Sequence, residues 1–368
     1  MRLHALQYLR AAAALVVVYS HAMAQVPAYA TQLPKFGAFG VDVFFVISGF
    51  IMVWIAKPGD TPQRFVVNRV RRIVPLYWFF TLLMALVLVA LPNVFENAAF
   101  DWRELALSLA FLPYESTAHP GWLWPILAPG WSLNYEMYFY LAFALSLVLA
   151  PRYRVAGAIG LIVLVFALAR LSDSATPAAR FYGHDVVFEF VYGMLLAIAW
   201  QRGLRLSPAL GTVLLIIGSV LLLLHLPAPR AIMFGVPALL VVAGSLYVRV
   251  PNWRWAVLLG DASYALYLSH LFTLGVLRAV LPRGLGDGPF AALAFVSIAL
   301  VVCTLVSVVV HLVIDNWLLR KERVAWLRPA AASCGAAVGS ASSSARAPTS
   351  PPTSPPSGSR LPSQRRKA

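Results

Sequence analysis

Residues 36–56 read FGAFGVDVFFVISGFIMVWIA, a run of 21 residues with one ionisable side chain, Asp42. The apolar positions follow neither a two-residue alternation nor a narrow helical stripe, so the segment is apolar all round. About 20 such residues in a helix match the thickness of a bilayer core. Similar runs recur along the chain. They place spans near 5–26, 36–56, 73–92, 131–150, 154–171, 184–201, 207–225, 230–248, 256–281 and 289–319. Pro227 and Pro229 interrupt 207–248 and divide it in two. The expected fold is all-α: a polytopic transmembrane helix bundle of about ten spans.

Composition points the same way. Hydrophobic residues make up 60% of the chain, charged residues 12%, and mean hydropathy is +0.77. A water-soluble domain of this size needs more charge to cover its surface. The 29 Lys and Arg against 14 Asp and Glu would suit a nucleic-acid partner. Most of them sit in short loops between apolar runs, where orientation in the membrane explains them, and no nucleic acid is expected. With the N-terminus in the cytoplasm, the cytoplasmic loops hold 17, from Arg2 and Arg10 through Lys57, Arg64, Arg69, Arg71 and Arg72 to Arg328. The outer loops hold 7, Arg230 among them. Both termini are therefore expected inside. The first 25 residues also have the pattern of a secretory signal, with Ala22-Met23-Ala24 as a cleavage site. An uncleaved first span is preferred because more spans follow. Cys303 and Cys334 are too few for a disulfide framework, and no metal-type Cys/His spacing occurs. Residues 1–328 are read as one transmembrane domain. Residues 329–368, rich in Ala, Ser and Pro, are read as a disordered basic tail.

Ionisable groups inside apolar spans are costly unless paired or hydrated, so they mark candidate sites. His21 lies roughly 16 Å along the first helix from Arg10. As a neutral imidazole it can take a proton from a hydroxyl, and equally it can bridge two helices. Asp42 is either a carboxylate that orients an imidazole or one at the interface. Glu136 lies among Trp131, Tyr135 and Tyr138 in GWSLNYEMYFY, where a carboxyl needs a partner or a function. Arg69, Arg71 and Arg72 are topology determinants or a phosphate clamp. His270, in SYALYLSHLF, is a second site histidine or a structural hub. Asp185 and Glu189 share one face at i,i+4, as do His311 and Asp315. Ser48 and Gly49 are read as packing residues that let helices approach.

Several of these segments occur together in one known family. LQYLRAAAALVVVYSHA, FGVDVFFVISGFIM, RFVVNRVRRIVPLYW, GWSLNYEMYFY and LGDASYALYLSH lie in order over residues 6–270. With them the chain resembles the acyltransferase-3 family of bacterial membrane acyltransferases. The family's Arg and His with ten residues between them fall on Arg10 and His21. Its Arg-x-x-Arg falls on Arg69 and Arg72, and its Trp-Ser-Leu-x-x-Glu on Trp131, Ser132, Leu133 and Glu136. The resemblance implies transfer of an acyl group, usually acetyl, from cytoplasmic acyl-CoA to a hydroxyl of a lipid-linked or exported glycan precursor. It is to the form without a fused esterase-like domain, and polysaccharide synthesis machinery is a possible partner.

Residues and resemblance combine into one expectation. Arg10, Arg69 and Arg72 would hold the phosphates of acetyl-CoA or another acyl-CoA, a donor substrate, with no tightly bound cofactor. His21 would be the general base, with Glu136 or Asp42 orienting it, and Trp131, Tyr135 and His270 would hold the acceptor. The rival class is a transporter or flippase of a lipid-linked sugar, which intramembrane acids also suit.

Overall fold

Thr61-Pro62, Thr176-Pro177 and Ser207-Pro208 each open a helix in the same way. The hydroxyl accepts from a backbone N–H three residues on, at Arg64, Ala179 and Leu210. Proline then takes the first helical position, where no N–H is needed. The computed structural model in which these caps occur describes residues 4–26, 37, 39–91, 100–281 and 289–315. All of these belong to the compact unit Met1–Lys321. The second unit, Glu322–Ala368, with the expected tail, lies outside the described residues, as does the end of the tenth apolar segment.

The helices in chain order are α1 (His4–Ala24), α2 (Gly40–Ile55), α3 (Pro62–Ala90), α4 (Trp102–Leu109), α5 (Trp131–Ser146), α6 (Arg154–Leu171), α7 (Pro177–Tyr182), α8 (Val187–Gln201), α9 (Pro208–Leu224), α10 (Val236–Ser245), α11 (Arg254–Val280) and α12 (Pro289–Val310). A π-helical turn, Ala231–Gly235, leads into α10, and another, His311–Asp315, follows α12. No strand occurs among the described residues. Each of the ten apolar segments contains a helix, and α4 and α7 are short additions.

Three details differ from the hydropathy reading or refine it. α3 begins at Pro62 rather than near 73, so Arg69, Arg71 and Arg72 lie within it and not at its mouth. Hydropathy finds the apolar part of a helix, whereas the Thr61 cap sets its start. Asp185 lies in the turn before α8, so it does not share a helix face with Glu189; its carboxylate instead accepts from the Ala231 N–H at 3.0 Å. The break in 207–248 falls at His225, which ends α9 in a left-handed conformation (φ 47°).

Among the described residues, four segments are long and apolar enough to cross a membrane: Pro62–Ala90, Pro151–Leu171, Pro177–Gln201 and Phe290–Ile314. Gly40–Ile55, Pro208–Leu224 and Ala231–Ser245 are shorter apolar helices. The outward faces are apolar as well, with Leu86, Leu168, Leu223 and Leu305 all exposed. Hydrocarbon, unlike water, covers such a surface without cost.

Close contacts fix the register. Gln7 donates to Asp261 at 2.9 Å, and Arg278 donates to Gln25 at 3.3 Å, so α1 and α11 run parallel. α2 and α8 also run parallel. Gln201 donates to the Val53 carbonyl at 3.3 Å, and Gly49 and Gly193 let the backbones touch near the middle. A β-carbon on Gly49 would collide with the Phe190 carbonyl, and one on Gly193 with that of Val46. Small residues at such crossings allow the approach that helix packing in a membrane depends on. α9 and α10 are antiparallel, with Gly211 against Gly244 and Gly218 against Pro237.

Gly49→Val is therefore expected to force α2 and α8 apart at a cost of about 1–3 kcal/mol or more. Thermal unfolding of the detergent-purified protein measures this: a clear drop in Tm is expected, and an unchanged Tm would show that the crossing is not close packed.

Candidate functional site

α5 separates two polar centres. Ser132, Glu136 and Tyr140, spaced by four residues, lie on one of its faces. Trp131 and Tyr135 lie on another.

The first face borders a cavity of about 110 Å³, also lined by Arg10 of α1, Ser48 of α2, Arg69 and Arg72 of α3, and Tyr264 and Tyr267 of α11. Glu136 is anchored by two hydroxyls, since Ser48 Oγ and Tyr140 OH each donate to its Oε1 at 2.5 Å. Hydroxyl–carboxylate bonds this short are of the strong, charge-assisted kind. The Arg69 guanidinium sits over the rings of Phe65 and Tyr140, at 5.4 and 5.7 Å, and its Nε is buried without a hydrogen-bond partner. Arg10 donates to Gln7 at 3.1 Å, and Gln7 in turn holds Asp261. Tyr267 donates to the Pro129 carbonyl at 2.8 Å and shares a 2.7 Å bond with Ser132. Three guanidinium groups around one carboxylate leave the lining positive, which suits an anionic ligand.

The second centre surrounds Arg230, just before the π-helical turn. Its Nε and terminal nitrogen donate to the two Asp42 oxygens, each at 2.9 Å, in a bidentate pair. Glu189 Oε1 lies 4.0 Å from the same Arg230 Nε. Asp42 and Glu189 are both fully buried. The guanidinium stacks at 5.5 Å over Trp131. Tyr135 donates to the Phe181 carbonyl at 2.8 Å and stacks on the Phe181 ring at 3.8 Å.

The histidines form a third group. The ring centroids of His21 and His270 are 4.8 Å apart with planes at 63°. His21 Nδ1 is 2.9 Å from the Val17 carbonyl, and His270 Nδ1 is 3.2 Å from that of Leu266.

Of the residues singled out in the sequence, Arg10, Arg69, Arg72 and Glu136 come together in one cavity. His21 is paired with His270. Asp42 is held by Arg230, with Trp131 beside it, and Tyr135 is engaged in aromatic packing. The His21 ring is oriented by a backbone carbonyl rather than by a carboxylate. Ser48, Tyr140, Tyr267 and Arg230 join these groups although the sequence does not single them out as site residues. Tyr140 was legible, since it follows Glu136 by four helical residues. The sequence alone marks Ser48 as a packing residue and Arg230 as a loop charge. Among the described residues, no group of His, Cys, Asp and Glu could hold a metal ion.

These features define a helical membrane protein with a basic cavity and a histidine pair inside its bundle. The family model described as "Acyltransferase domain" matches residues 3–312, and the chain belongs to the acyltransferase-3 family. It is an acyltransferase of the kind that transfers groups other than aminoacyl groups. It is 37% identical over 298 residues to the exopolysaccharide production protein ExoZ of Rhizobium meliloti (strain 1021), covering 78% of this chain and 91% of that protein. It is 26% identical to the acyltransferase MdmB of Streptomyces mycarofaciens, over 86% of this chain and 91% of the relative. The peptidoglycan O-acetyltransferase OatA of Listeria monocytogenes is 24% identical over 68% of this chain and 44% of its own length. No solved structure matches the chain.

Removing Arg230 leaves Asp42 buried without its countercharge. Arg230→Ala is expected to cost about 3–5 kcal/mol, and Asp42→Asn in the same protein should recover part of it. Thermal unfolding in detergent decides: equal stability of Arg230→Ala and the unaltered protein would contradict the pairing.

Proposed function

We propose that the protein is an O-acyltransferase of the bacterial inner membrane. It moves an acyl group, acetyl in the simplest case, from cytoplasmic acyl-CoA to a hydroxyl of an exopolysaccharide or other cell-surface glycan precursor. The observation that carries this reading is the meeting of Arg10, Arg69, Arg72 and Glu136 in one cavity. The names of the relatives, exopolysaccharide production and peptidoglycan O-acetylation, support a glycan acceptor. Ten crossings with both termini inside fit the helix directions. α1 and α11, the first and ninth of them, run parallel, as do the second and sixth, α2 and α8. The seventh and eighth, α9 and α10, are antiparallel.

The reaction needs a proton taken from the acceptor hydroxyl and returned to the departing thiolate. His21 performs both transfers at Nε2, because a carbonyl such as that of Val17 only accepts and so leaves the proton on Nδ1. The arginines hold the donor's phosphates, where a guanidinium's planar fork matches phosphate oxygens. Along α1, Arg10 and His21 are about 16 Å apart, a distance that an extended pantetheine arm bridges. Glu136, fixed by Ser48 and Tyr140, keeps the three guanidinium groups gathered against their mutual repulsion. Trp131 and Arg230, near the outer side, offer an aromatic face and hydrogen-bond donors to the sugar, and polysaccharide synthesis machinery would deliver that acceptor.

His21→Ala should abolish acyl transfer in membranes supplied with labelled acyl-CoA while the protein accumulates normally; full activity would end the general-base assignment. Arg72→Ala should weaken acyl-CoA binding by roughly tenfold or more, the scale of a lost charged hydrogen bond. Unchanged affinity would return that arginine to a topology role.

A further inference from the structure

His270 occupies a position for which its surroundings leave half of its hydrogen-bonding capacity unused. It is fully buried, and its Nδ1 faces the Leu266 carbonyl, so the proton lies there and Nε2 carries a lone pair. That Nε2 is buried and has no hydrogen-bond partner. Buried polar atoms are nearly always partnered, so an exception calls for a reason. The neighbouring polar groups do not supply a partner. The Tyr267 ring is 6.2 Å away with its hydroxyl committed to Pro129 and Ser132. The Cys303 thiol approaches the His270 backbone carbonyl, not the ring, at 4.0 Å. The ring that does face His270 is that of His21, with centroids 4.8 Å apart. The parallel packing of α1 and α11 brings the two together, and each ring is held from its own helix by a carbonyl four residues earlier.

We propose that His270 is a positioning residue for His21: it fixes the ring and stabilises the imidazolium that forms when His21 takes the acceptor's proton. This rests on His21 being the base. In the step, the acceptor O–H breaks and its proton moves to His21 Nε2. The freed electron pair on oxygen forms the bond to the acyl carbon, the carbon–sulfur bond breaks, and the proton passes from His21 to the thiolate. His270 gains and loses no proton. Its Nε2 is an uncommitted acceptor beside a charge that exists only during the reaction, so the interaction stabilises the transition state more than the ground state.

The test compares His270→Phe with His270→Gln. Phenylalanine keeps an aromatic ring against His21 and removes the lone pair, whereas the glutamine amide oxygen can accept. His270→Phe should lower kcat roughly tenfold, through loss of a dipole that faces His21 only while it is charged, with KM for acyl-CoA unchanged. His270→Gln should recover part of the loss. A second measurement needs neither donor nor acceptor: the pH dependence of the rate at which diethyl pyrocarbonate modifies His21 in the purified protein, read by mass spectrometry. The reagent attacks neutral imidazole, so His270→Phe should move the midpoint of that dependence to lower pH and His270→Gln should not. Unaltered kcat and unaltered His21 reactivity in His270→Phe would overturn the proposal. So would equal losses in both variants with KM rising in step, which is the pattern of a structural defect. If the unaltered protein turns over no acyl-CoA, the donor assignment fails and His21 reactivity alone decides the role of His270.

Discussion

A charge placed among apolar helices must meet a countercharge or a hydrogen-bond partner, because lipid and packed side chains offer none. In this bundle that requirement is met by residues far apart in the chain. Asp42 is paired with Arg230, 188 residues later, and Glu136 is held by Ser48, 88 residues earlier. Each such contact also fixes the register of its helices. A slip of α2 against α5 would break the Ser48–Glu136 bond, and a shift of the π-helical turn would strand Asp42. Where two helices would otherwise stay apart, as at Gly49 and Gly193, the absence of a side chain lets the backbones close the gap.

The same constraint separates the chemistry into compartments. Helix α5 has Glu136 on the arginine side and Trp131 on the Arg230 side, so a four-residue periodicity keeps the two polar centres apart. In the proposed reaction this separation keeps a phosphorylated donor and a sugar acceptor on different approaches. Excluding bulk water from such a pocket also limits thioester hydrolysis.

The fold was largely legible because hydropathy and proline report on local backbone physics. Each of the ten apolar segments contains a helix among the described residues, and the break near Pro227 and Pro229 falls where expected. Helix starts were less legible: the Thr61 cap carries α3 back past its arginines, which no hydropathy window registers. The arginines are readable as a group through their spacing and the family motifs, whereas Glu136, expected to orient His21, lies instead among the arginines. Partnerships were not legible. Nothing near Asp42 in the chain points to Arg230, because ion pairing over 188 residues is a property of the packed bundle. The orienting carbonyl of Val17 was also invisible, since a backbone group carries no sequence signature. His270 stood out as an intramembrane histidine, but its facing His21 depends on the parallel packing of α1 and α11.

In the proposed reaction the arginine cavity receives the donor and the histidine pair receives its acyl end. A structure of the protein with a non-hydrolysable acyl-CoA analogue tests this most directly. Phosphate groups are expected against Arg10, Arg69 and Arg72, and the acyl carbon within reach of His21 Nε2. An analogue bound elsewhere, or with its acyl end directed away from His21, would contradict it.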